Sequence, residues 1–175
     1  MISLGPLQRD NLELYRSWRN DYSVWKWCRQ NDFINEVEQV KWFERISQDK
    51  YIKMYEIIKN QTPIGVCGLT DFDYLNQRAE FSLYIGPEYH GKGLGKLSLE
   101  VLLYHGFTHH NLNLIWGETF EGNKAAKTFE SVGMKQDGIR RKFYVREGKF
   151  INAILFSILK SEWLSKIEYN LLHGL

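Results

Sequence analysis

The spacing of apolar residues changes several times along the first quarter of the chain. The short apolar run from Ile2 to Leu7 predicts a strand. Apolar residues then recur at helical spacing over Leu12 to Asn20 and again over Glu36 to Ser47, which predicts two helices. Between them, Asp21 to Ile34 is rich in aromatic and charged residues and has no clean period. This quarter therefore predicts a strand and two helices joined by an irregular aromatic segment.

Strand-like patterns dominate the rest of the sequence. Three alternating runs separated by turn-forming residues predict three consecutive strands, at 51–58, 64–72 and 79–85. A helix, a strand, a helix and two long strands follow, at Leu97 to Phe107, Leu112 to Phe120, Lys124 to Val132, Met134 to Arg146 and Lys149 to Lys160. The tail beyond is polar with scattered leucines, and its pattern fits either a helix or a frayed end.

The order of these elements predicts an α+β fold, with one mixed but mostly antiparallel sheet of about seven strands and four packed helices. In chain order they run strand, two helices, three strands, helix, strand, helix and two strands. We expect a single domain over residues 1–163 and a C-terminal tail over 164–175. No internal repeat, linker or low-complexity segment interrupts the pattern.

Composition narrows the class of protein more than its function. Of the 175 residues, 43% are hydrophobic and 25% are charged, the balance of a globular protein, and the formal net charge is only +2. No apolar run is long enough to cross a membrane, and no signal-peptide pattern is visible. We therefore expect a cytoplasmic protein without nucleic-acid or membrane partners. Nothing in the spacing of Cys28 and Cys67 suggests a disulfide, so both are expected to be reduced packing thiols.

The most informative stretch is the turn Tyr89 to Lys96, between a predicted strand and a predicted helix. Glycines at alternate positions, Gly91, Gly93 and Gly95, leave backbone N–H groups free to point into a common space at a helix N-terminus. Such a turn suits phosphate. A dinucleotide site would follow the first strand of a βαβ unit, and a P-loop would carry Gly-Lys-Ser/Thr, so this turn fits neither.

A third kind of phosphate site fits, because the chain resembles the GNAT N-acetyltransferase superfamily over about residues 2 to 163. The run His90-Gly91-Lys92-Gly93-Leu94-Gly95 resembles the family's pyrophosphate loop, Arg/Gln-x-x-Gly-x-Gly/Ala, with histidine at its first position. The segment Asn123 to Met134 resembles the family's Asn-x-x-Ala…Tyr-Glu-x-x-Gly-Phe helix, one residue shorter and with Phe129 at the tyrosine position.

Two branches of the superfamily are similar to different parts of the chain. The C-terminal part, 137–163, looks like the branch that acetylates ribosomal-protein N-termini. The front half, with Trp18-Arg19-Asn20 and Val40-Lys41-Trp42-Phe43, resembles acetyltransferases of bacterial amino-sugar pathways.

The resemblance implies acetyl-CoA as co-substrate and no metal. Main-chain groups on the third strand of the meander would flank the pantetheine arm, and the glycine turn would hold the pyrophosphate. The residues expected at the cofactor are Leu83, Ile85, His90, Gly91, Lys92, Gly93, Leu94, Gly95, Lys96, Asn123 and Phe129. His105 and His109 share a helix face beside His110, but no Cys or acidic residue stands at zinc-ligand spacing from them.

Acetyl transfer to an amine requires a base, and Glu80 is the first candidate. It precedes the glycine turn on its strand, where members of the superfamily that acetylate histones carry a glutamate. The alternative interpretation is a surface ion pair of Glu80 with Arg78 or Lys92. Glu118 on the next long strand is the second candidate for the base.

The developing oxyanion and the leaving thiolate need donors of their own. The family uses a main-chain N–H that corresponds to about Leu83 to Ile85 for the oxyanion. Phe129 cannot donate a proton, so Tyr84, Tyr144 or a water would protonate the thiolate, or the thiolate would leave unprotonated.

The aromatic segment Trp18 to Phe33 is the expected acceptor side. Trp25 and Trp27 could stack on a sugar or base, and Arg19 or Arg29 could pair with a phosphate. The alternative is that these tryptophans belong to the core or to a dimer contact, and a homodimer is allowed for.

We therefore expect an N-acetyltransferase for a small primary amine, with an amino sugar, free or nucleotide-linked, as the first candidate. A protein N-terminus is the alternative acceptor. A non-catalytic domain that senses acetyl-CoA is the alternative function.

Overall fold

A computed structural model describes residues 1–173, with side chains to residue 168. Seven strands form one sheet: β1 (Ile2–Pro6), β2 (Lys53–Lys59), β3 (Thr62–Asp73), β4 (Arg78–Ile85), β5 (Leu114–Phe120), β6 (Lys135–Arg146) and β7 (Lys149–Leu159). The helices of this described part are α1 (Leu12–Asn20), α2 (Tyr22–Trp25), α3 (Glu36–Gln48), α4 (Leu94–Thr108), α5 (Ala125–Ser131) and α6 (Lys160–His173). The strand order across the sheet is β1-β2-β3-β4-β5-β7-β6.

The predicted fold class is confirmed, and two helices add to the four that were expected. The extra helix α2 is a single turn, capped by the Asp21 carboxylate, which accepts from Ser23 N at 2.8 Å. One turn is too short to show a period. The second addition, α6, follows β7 directly and runs past residue 163 into the predicted tail, where residues 174 and 175 lie outside the described part. Its Trp163 is buried in the core.

The main core lies between the sheet and α4. Four large side chains of this helix are fully buried: Leu99, Leu102, Leu103 and Phe107. Burial of each contributes roughly 1.5–3 kcal/mol relative to exposure. The opposite face of the sheet is covered by α1 and α3, around a smaller cluster that contains Tyr15, Trp18 and Val66.

The sheet opens into a wedge between β4 and β5. These strands form the parallel pair of the sheet, and their pairing covers only three positions, from Arg78↔Leu114 to Glu80↔Trp116. Beyond this point β5 pairs with β7 along its whole length, while β4 stays paired with β3 as far as Ile85. The β5-facing edge of β4 after Glu80 therefore has no strand partner. Glu80 marks the point where the two strands separate.

No helix of the described residues combines the length and the apolar character needed to cross a membrane. Cys67 is buried in β3 and Cys28 is partly buried after α2, and both are free thiols.

Candidate active site

The glycine turn forms an open cradle at the N-terminus of α4. Gly91 and Gly93 have φ angles of +74° and +71°, which favour glycine, and a Cβ at either would meet no protein atom within 4 Å. The first backbone bond at this helix end runs from Leu97 N to Gly93 O at 3.4 Å. The N–H groups of residues 94–96 have no backbone partner within the described chain. This helix end can therefore bind an anion such as a phosphate group.

Main-chain groups of β4 face the wedge beside this cradle. Gly86 N donates to Ile64 O at 2.9 Å, so Ile64 and Gly86 form a hydrogen-bonded pair of the antiparallel ladder between β3 and β4. Because such bonds alternate along an antiparallel pair, the N–H and C=O groups of Ile85 and Leu83 point away from β3. His90 Nε2 donates to Ile85 O at 2.8 Å, which closes the loop onto the strand. The histidine that departs from the family's motif thus has a structural partner within the turn.

The other residues expected at the cofactor make contacts within the protein. Lys92 Nζ donates to Glu88 O at 2.8 Å, and Lys96 Nζ lies 3.9 Å from a Glu100 oxygen. Asn123 accepts from Ala125 N at 3.0 Å and donates to Thr119 Oγ1 at 2.9 Å, which places it at the start of α5.

Phe129 is packed edge-on against Phe81 and Phe156, with ring centroids 4.9 and 5.5 Å away. At this position the structure has a core contact and no proton donor.

Glu80 and Glu118 lie on the same face of neighbouring strands, and each side chain is only 3% exposed. The guanidinium of Arg29 bridges them, with Nη2 2.8 Å from Glu80 Oε1 and Nη1 3.7 Å from Glu118 Oε1. The alternative partners of Glu80 are engaged elsewhere: Arg78 pairs with Asp73, and Lys92 with Glu88 O. Glu80 is therefore a buried carboxylate with a cationic partner from the segment after α2.

Glu118 has more partners than Glu80. Arg140 Nη1 lies 3.1 Å from Glu118 Oε2, and Tyr144 Oη donates to Glu118 Oε1. Since donors occupy both oxygens of Glu118, Glu80 is the more accessible proton acceptor of the two.

Burial raises the pKa of the Glu80 carboxyl, and this outweighs the opposite effect of Arg29. The charges of Asp71 and Glu118 raise it further. Burial also raises the pKa of the Tyr84 hydroxyl, and burial with the bond to Glu118 raises the pKa of Tyr144 to about 12. At neutral pH both tyrosines keep their protons, while Glu80 holds a proton more readily than an exposed glutamate.

A cavity of about 630 Å³ lies over part of one face of β4, and Glu80 is not among its lining residues. Ser82 and Tyr84 line it, and they share the face of Glu80 because alternate strand residues point to the same side. The complete lining is Arg19, Gln30, Asn31, Asp32, Phe33, Ile34, Glu38, Gln39, Trp42, Arg45, Ile46, Ile52, Met54, Thr70, Ser82 and Tyr84.

Several polar groups of this cavity have no hydrogen-bond partner among the described residues, although they are not sealed from solvent. They are the side-chain amide of Gln39, Trp42 Nε1, Ser82 Oγ and Tyr84 Oη. The cavity can therefore hydrogen-bond a polar molecule, and Ser82 places its edge two residues from Glu80 on β4.

Of the three residues predicted to bind the acceptor, Arg19 lines the cavity and Trp25 and Trp27 do not. Arg19 donates to Gln30 Oε1 at 2.7 Å and lies 5.3 Å over the Tyr84 ring. Trp25 stacks on Phe33 at 5.6 Å, behind the cavity wall, and Trp27 lies beside the Lys26 ammonium at 5.4 Å. Direct stacking of these two indoles on an acceptor in the cavity is not supported.

Sequence reasoning missed the cavity residues Gln39 and Trp42 and the role of Arg29, which it considered for phosphate. A buried glutamate pair needs cationic partners, but the chain has 23 lysines and arginines from which to choose. The signal was too weak to single out Arg29 or Arg140.

The histidines near the end of α4 contact a tyrosine. Tyr55 Oη lies 3.1 Å from His105 Nε2 and 3.0 Å from His110 Nε2. Within the part of the chain that the structure describes, no group of three or more His, Cys, Asp or Glu side chains is arranged to hold a metal ion.

Comparisons with known proteins identify the family of the chain. The family model described as Acetyltransferase (GNAT) domain matches residues 2–135. The chain is similar to spermidine N(1)-acetyltransferase of Escherichia coli, with 26% identity over 167 residues, 94% of this chain and 89% of that protein. It is also similar to the ribosomal protein bS18-alanine N-acetyltransferase of Haemophilus influenzae, with 28% identity over 112 residues, 62% of this chain and 73% of that protein.

Among solved structures, a spermidine N-acetyltransferase from Vibrio cholerae in complex with CoA and spermine has the same fold, with a TM-score of 0.89 and 23% identity. The alignment covers 93% of this chain and 98% of that one. The acetyl donor of the family is acetyl-CoA. The chain belongs to the GNAT acetyltransferase family and is an N-acetyltransferase.

Proposed function

We propose that this enzyme acetylates a primary amine of a small molecule, with Glu80 as the base and a polyamine as the preferred acceptor. One observation carries the proposal. Glu80 is buried where β4 and β5 separate, on the same face of β4 as Ser82 and Tyr84, which line the 630 Å³ cavity. The carboxylate thus stands between the wedge, which suits the acetyl donor, and a space of suitable size for the amine.

Residues of the wedge would hold acetyl-CoA, which supplies a thioester-bound acetyl group. The cradle of Gly91, Gly93 and the following helix N-terminus would bind the pyrophosphate. The main-chain groups of Leu83 and Ile85 that face away from β3 would pair with the pantetheine arm. Lys92 and Lys96 lie within the cradle segment and would support the pyrophosphate, and Asn123, at the start of α5, would reach the pantetheine arm from the other side.

The reaction assigns three roles to groups of β4. Glu80 takes a proton from the amine while the amine nitrogen bonds to the acetyl carbon. A main-chain N–H of Leu83 to Ile85 donates to the carbonyl oxygen as it gains negative charge. As the carbon–sulfur bond breaks, the Tyr84 hydroxyl donates its proton to the thiolate.

Two features favour a polyamine. The relative in E. coli that matches 94% of this chain is a spermidine acetyltransferase. In the cavity, Asp32 and Glu38 can attract further ammonium groups, and the rings of Phe33 and Trp42 can contact the methylene chain. The cavity also carries the guanidinium groups of Arg19 and Arg45, which would favour a phosphate-linked acceptor, whereas the Arg29 guanidinium is already paired with the carboxylates.

An amino sugar is the second candidate. The unpartnered groups of Gln39, Trp42, Ser82 and Tyr84 are neutral hydrogen-bonding groups, which suit sugar hydroxyls. They would serve a polyhydroxylated amine better than a methylene chain.

A thiol-release assay with acetyl-CoA tests the proposal, using spermidine, glucosamine and a peptide with an N-terminal alanine as acceptors. Mass spectrometry of the products identifies the acetylated nitrogen. We expect kcat/KM for spermidine to exceed that for glucosamine by about tenfold or more, which corresponds to about 1.4 kcal/mol of binding free energy from an additional ion pair. A preference for glucosamine would favour the second candidate, and a preference for the peptide would favour a protein N-terminus. Tight acetyl-CoA binding without turnover on any amine would favour the sensor function.

A further inference from the structure

Arg146, at the end of β6, holds the segment that carries Arg29. Its Nη2 donates to the carbonyl oxygens of Cys28 and, at 3.5 Å, Gln30. Its Nη1 donates to the Asn31 side chain, and its guanidinium lies 4.8 Å over the Phe120 ring. The two carbonyls belong to the residues immediately before and after Arg29. The Arg146 guanidinium therefore holds the backbone on both sides of Arg29.

The segment held by Arg146 serves both the carboxylate pair and the cavity. Arg29 reaches Glu80 and Glu118, while Gln30 and Asn31 form part of the cavity wall. The Gln30 side chain also accepts from Arg19, which lies over Tyr84. A displacement of this short segment would therefore move the partner of the base and the wall around the acceptor together.

The contacts of Arg146 leave one buried N–H without a partner among the described residues, and they require a guanidinium. Its Nε is buried and has no hydrogen-bond partner within the described chain. Lysine could not replace this contact, because a single ammonium cannot donate to both carbonyls and to the Asn31 side chain in the planar arrangement of a guanidinium. A second tie joins the same two regions, since Tyr22 Oη donates to Glu147 Oε1 at 2.9 Å.

We propose that Arg146 is a positioning residue of the acetyltransferase: it holds residues 28–31 so that Arg29 stays between Glu80 and Glu118 and the cavity wall stays closed. The inference rests on the proposed role of Glu80 as base. It gives the hairpin of β6 and β7 a part in setting acceptor affinity, although this hairpin lies outside the glycine cradle.

A double-mutant cycle with Arg146→Ala and Arg29→Gln tests the inference. Since small displacements of catalytic groups are expensive, we expect Arg146→Ala to lower kcat/KM for the amine by about 10- to 100-fold. The KM for acetyl-CoA should change by less than about twofold, because the contacts of Arg146 lie outside the glycine cradle and distant sites contribute independently to within about this factor. If Arg146 acts through Arg29, the kcat/KM of the double variant should lie within about twofold of the lower of the two single-variant values.

Two further readouts separate positioning from a loss of stability. Hydrogen exchange of residues 26–34 should accelerate in Arg146→Ala, and Arg146→Lys should restore little of the protection. The acid limb of kcat/KM should shift to higher pH in both Arg146→Ala and Arg29→Gln, because Arg29 lowers the pKa of Glu80 against the effects of burial, Asp71 and Glu118. Arg141→Ala, on the exposed part of the same strand, is the matched control and should change none of these quantities.

The outcomes distinguish the inference from the proposed function. Unchanged exchange of residues 26–34, or fully additive losses in the cycle, would overturn the role of Arg146 even if the enzyme acetylates amines through Glu80. Full turnover in Glu80→Gln would instead refute the base, and accelerated exchange in Arg146→Ala would still show that Arg146 holds the segment.

Discussion

The two sides of the wedge are built in different ways. On the cofactor side, a continuous stretch from Leu83 to Lys96 contains the β4 edge, the glycine turn and the first turn of α4. On the acceptor side, the charged groups come from the segment after α2, from β4 and β5, and from β6. One side is a local backbone structure, and the other is an assembly of side chains from distant parts of the chain.

This difference has a physical consequence for mutations. Backbone N–H donors belong to every residue type except proline, so the cradle depends on the φ angles that glycine allows and tolerates His90 at its first position. The carboxylate network depends on the identity of each member, because an unpaired buried charge is expensive. The comparison predicts specific chemical losses on the acceptor side and conformational losses on the cofactor side.

The largest effect is expected from Glu80→Gln, which should lower kcat by about 10²- to 10⁴-fold, the usual contribution of a general base. The matched control is Glu56→Gln, since Glu56 is also a buried strand glutamate, bonded to Asn11 and Tyr15. Its loss should reduce stability and leave kcat within about threefold of wild type. Steady-state kinetics and thermal unfolding separate the two. Equal kinetic losses in both variants would mean that burial of charge, and not position, explains the effect.

The next effect concerns pH. Because Glu80 must be deprotonated to act as a base and its pKa is raised, kcat/KM should fall as the pH is lowered, about tenfold per unit below that pKa. The midpoint should lie above the value of about 4.3 for an unperturbed glutamate. A profile of kcat/KM against pH for the amine gives the midpoint, after correction for protonation of the free amine. A midpoint at the unperturbed value would mean that Glu80 is better solvated than its burial indicates.

On the cofactor side, Gly93→Ala should raise the KM for acetyl-CoA by about tenfold, because alanine at a φ of +71° costs about 1–2 kcal/mol and distorts the cradle. Gly148→Ala in the hairpin turn is the control, because its φ of +73° imposes the same backbone strain and an added Cβ would likewise contact no atom of the described chain within 4 Å. Both variants should lose similar stability in denaturant unfolding. If Gly148→Ala raised the KM for acetyl-CoA as much as Gly93→Ala, the cradle would not be the pyrophosphate site.

The smallest effect tests which tryptophan contacts the acceptor. Trp42 lines the cavity, so Trp42→Leu should raise the KM for the amine by about fivefold, the loss of roughly 1 kcal/mol of cation–π and apolar contact. Trp27→Leu should raise it less, because Trp27 lies outside the lining. The reverse order would restore the predicted wall of Trp25 and Trp27 and would mean that the acceptor enters from another direction.

Most of the architecture could be predicted because hydrophobic periodicity is a local property. The strands of the meander and of the C-terminal hairpin alternate clearly, and α4 is apolar enough to be recognised as a core helix. The single turn of α2 has no period to detect, and the polar sequence of α6 left its structure open, because the packing of Trp163 decides it. The roles of the tryptophans before α3 could not be assigned from sequence, since a tryptophan looks alike in sequence whether it faces a cavity or packs behind its wall.

The glycine turn, its place after an antiparallel meander and the family resemblance follow from residues that are close in sequence, and they were enough to identify an acetyl-CoA-dependent N-acetyltransferase. They suffice because an anion cradle needs only backbone groups and local φ angles. The environment of Glu80 was settled only by the tertiary structure. Arg29, Arg140 and Tyr144 reach the carboxylate pair across long loops and a hairpin, and Gln39 and Trp42 join the cavity from α3. Side-chain charges meet only when the whole sheet has formed, so their pairing leaves no local pattern in the sequence.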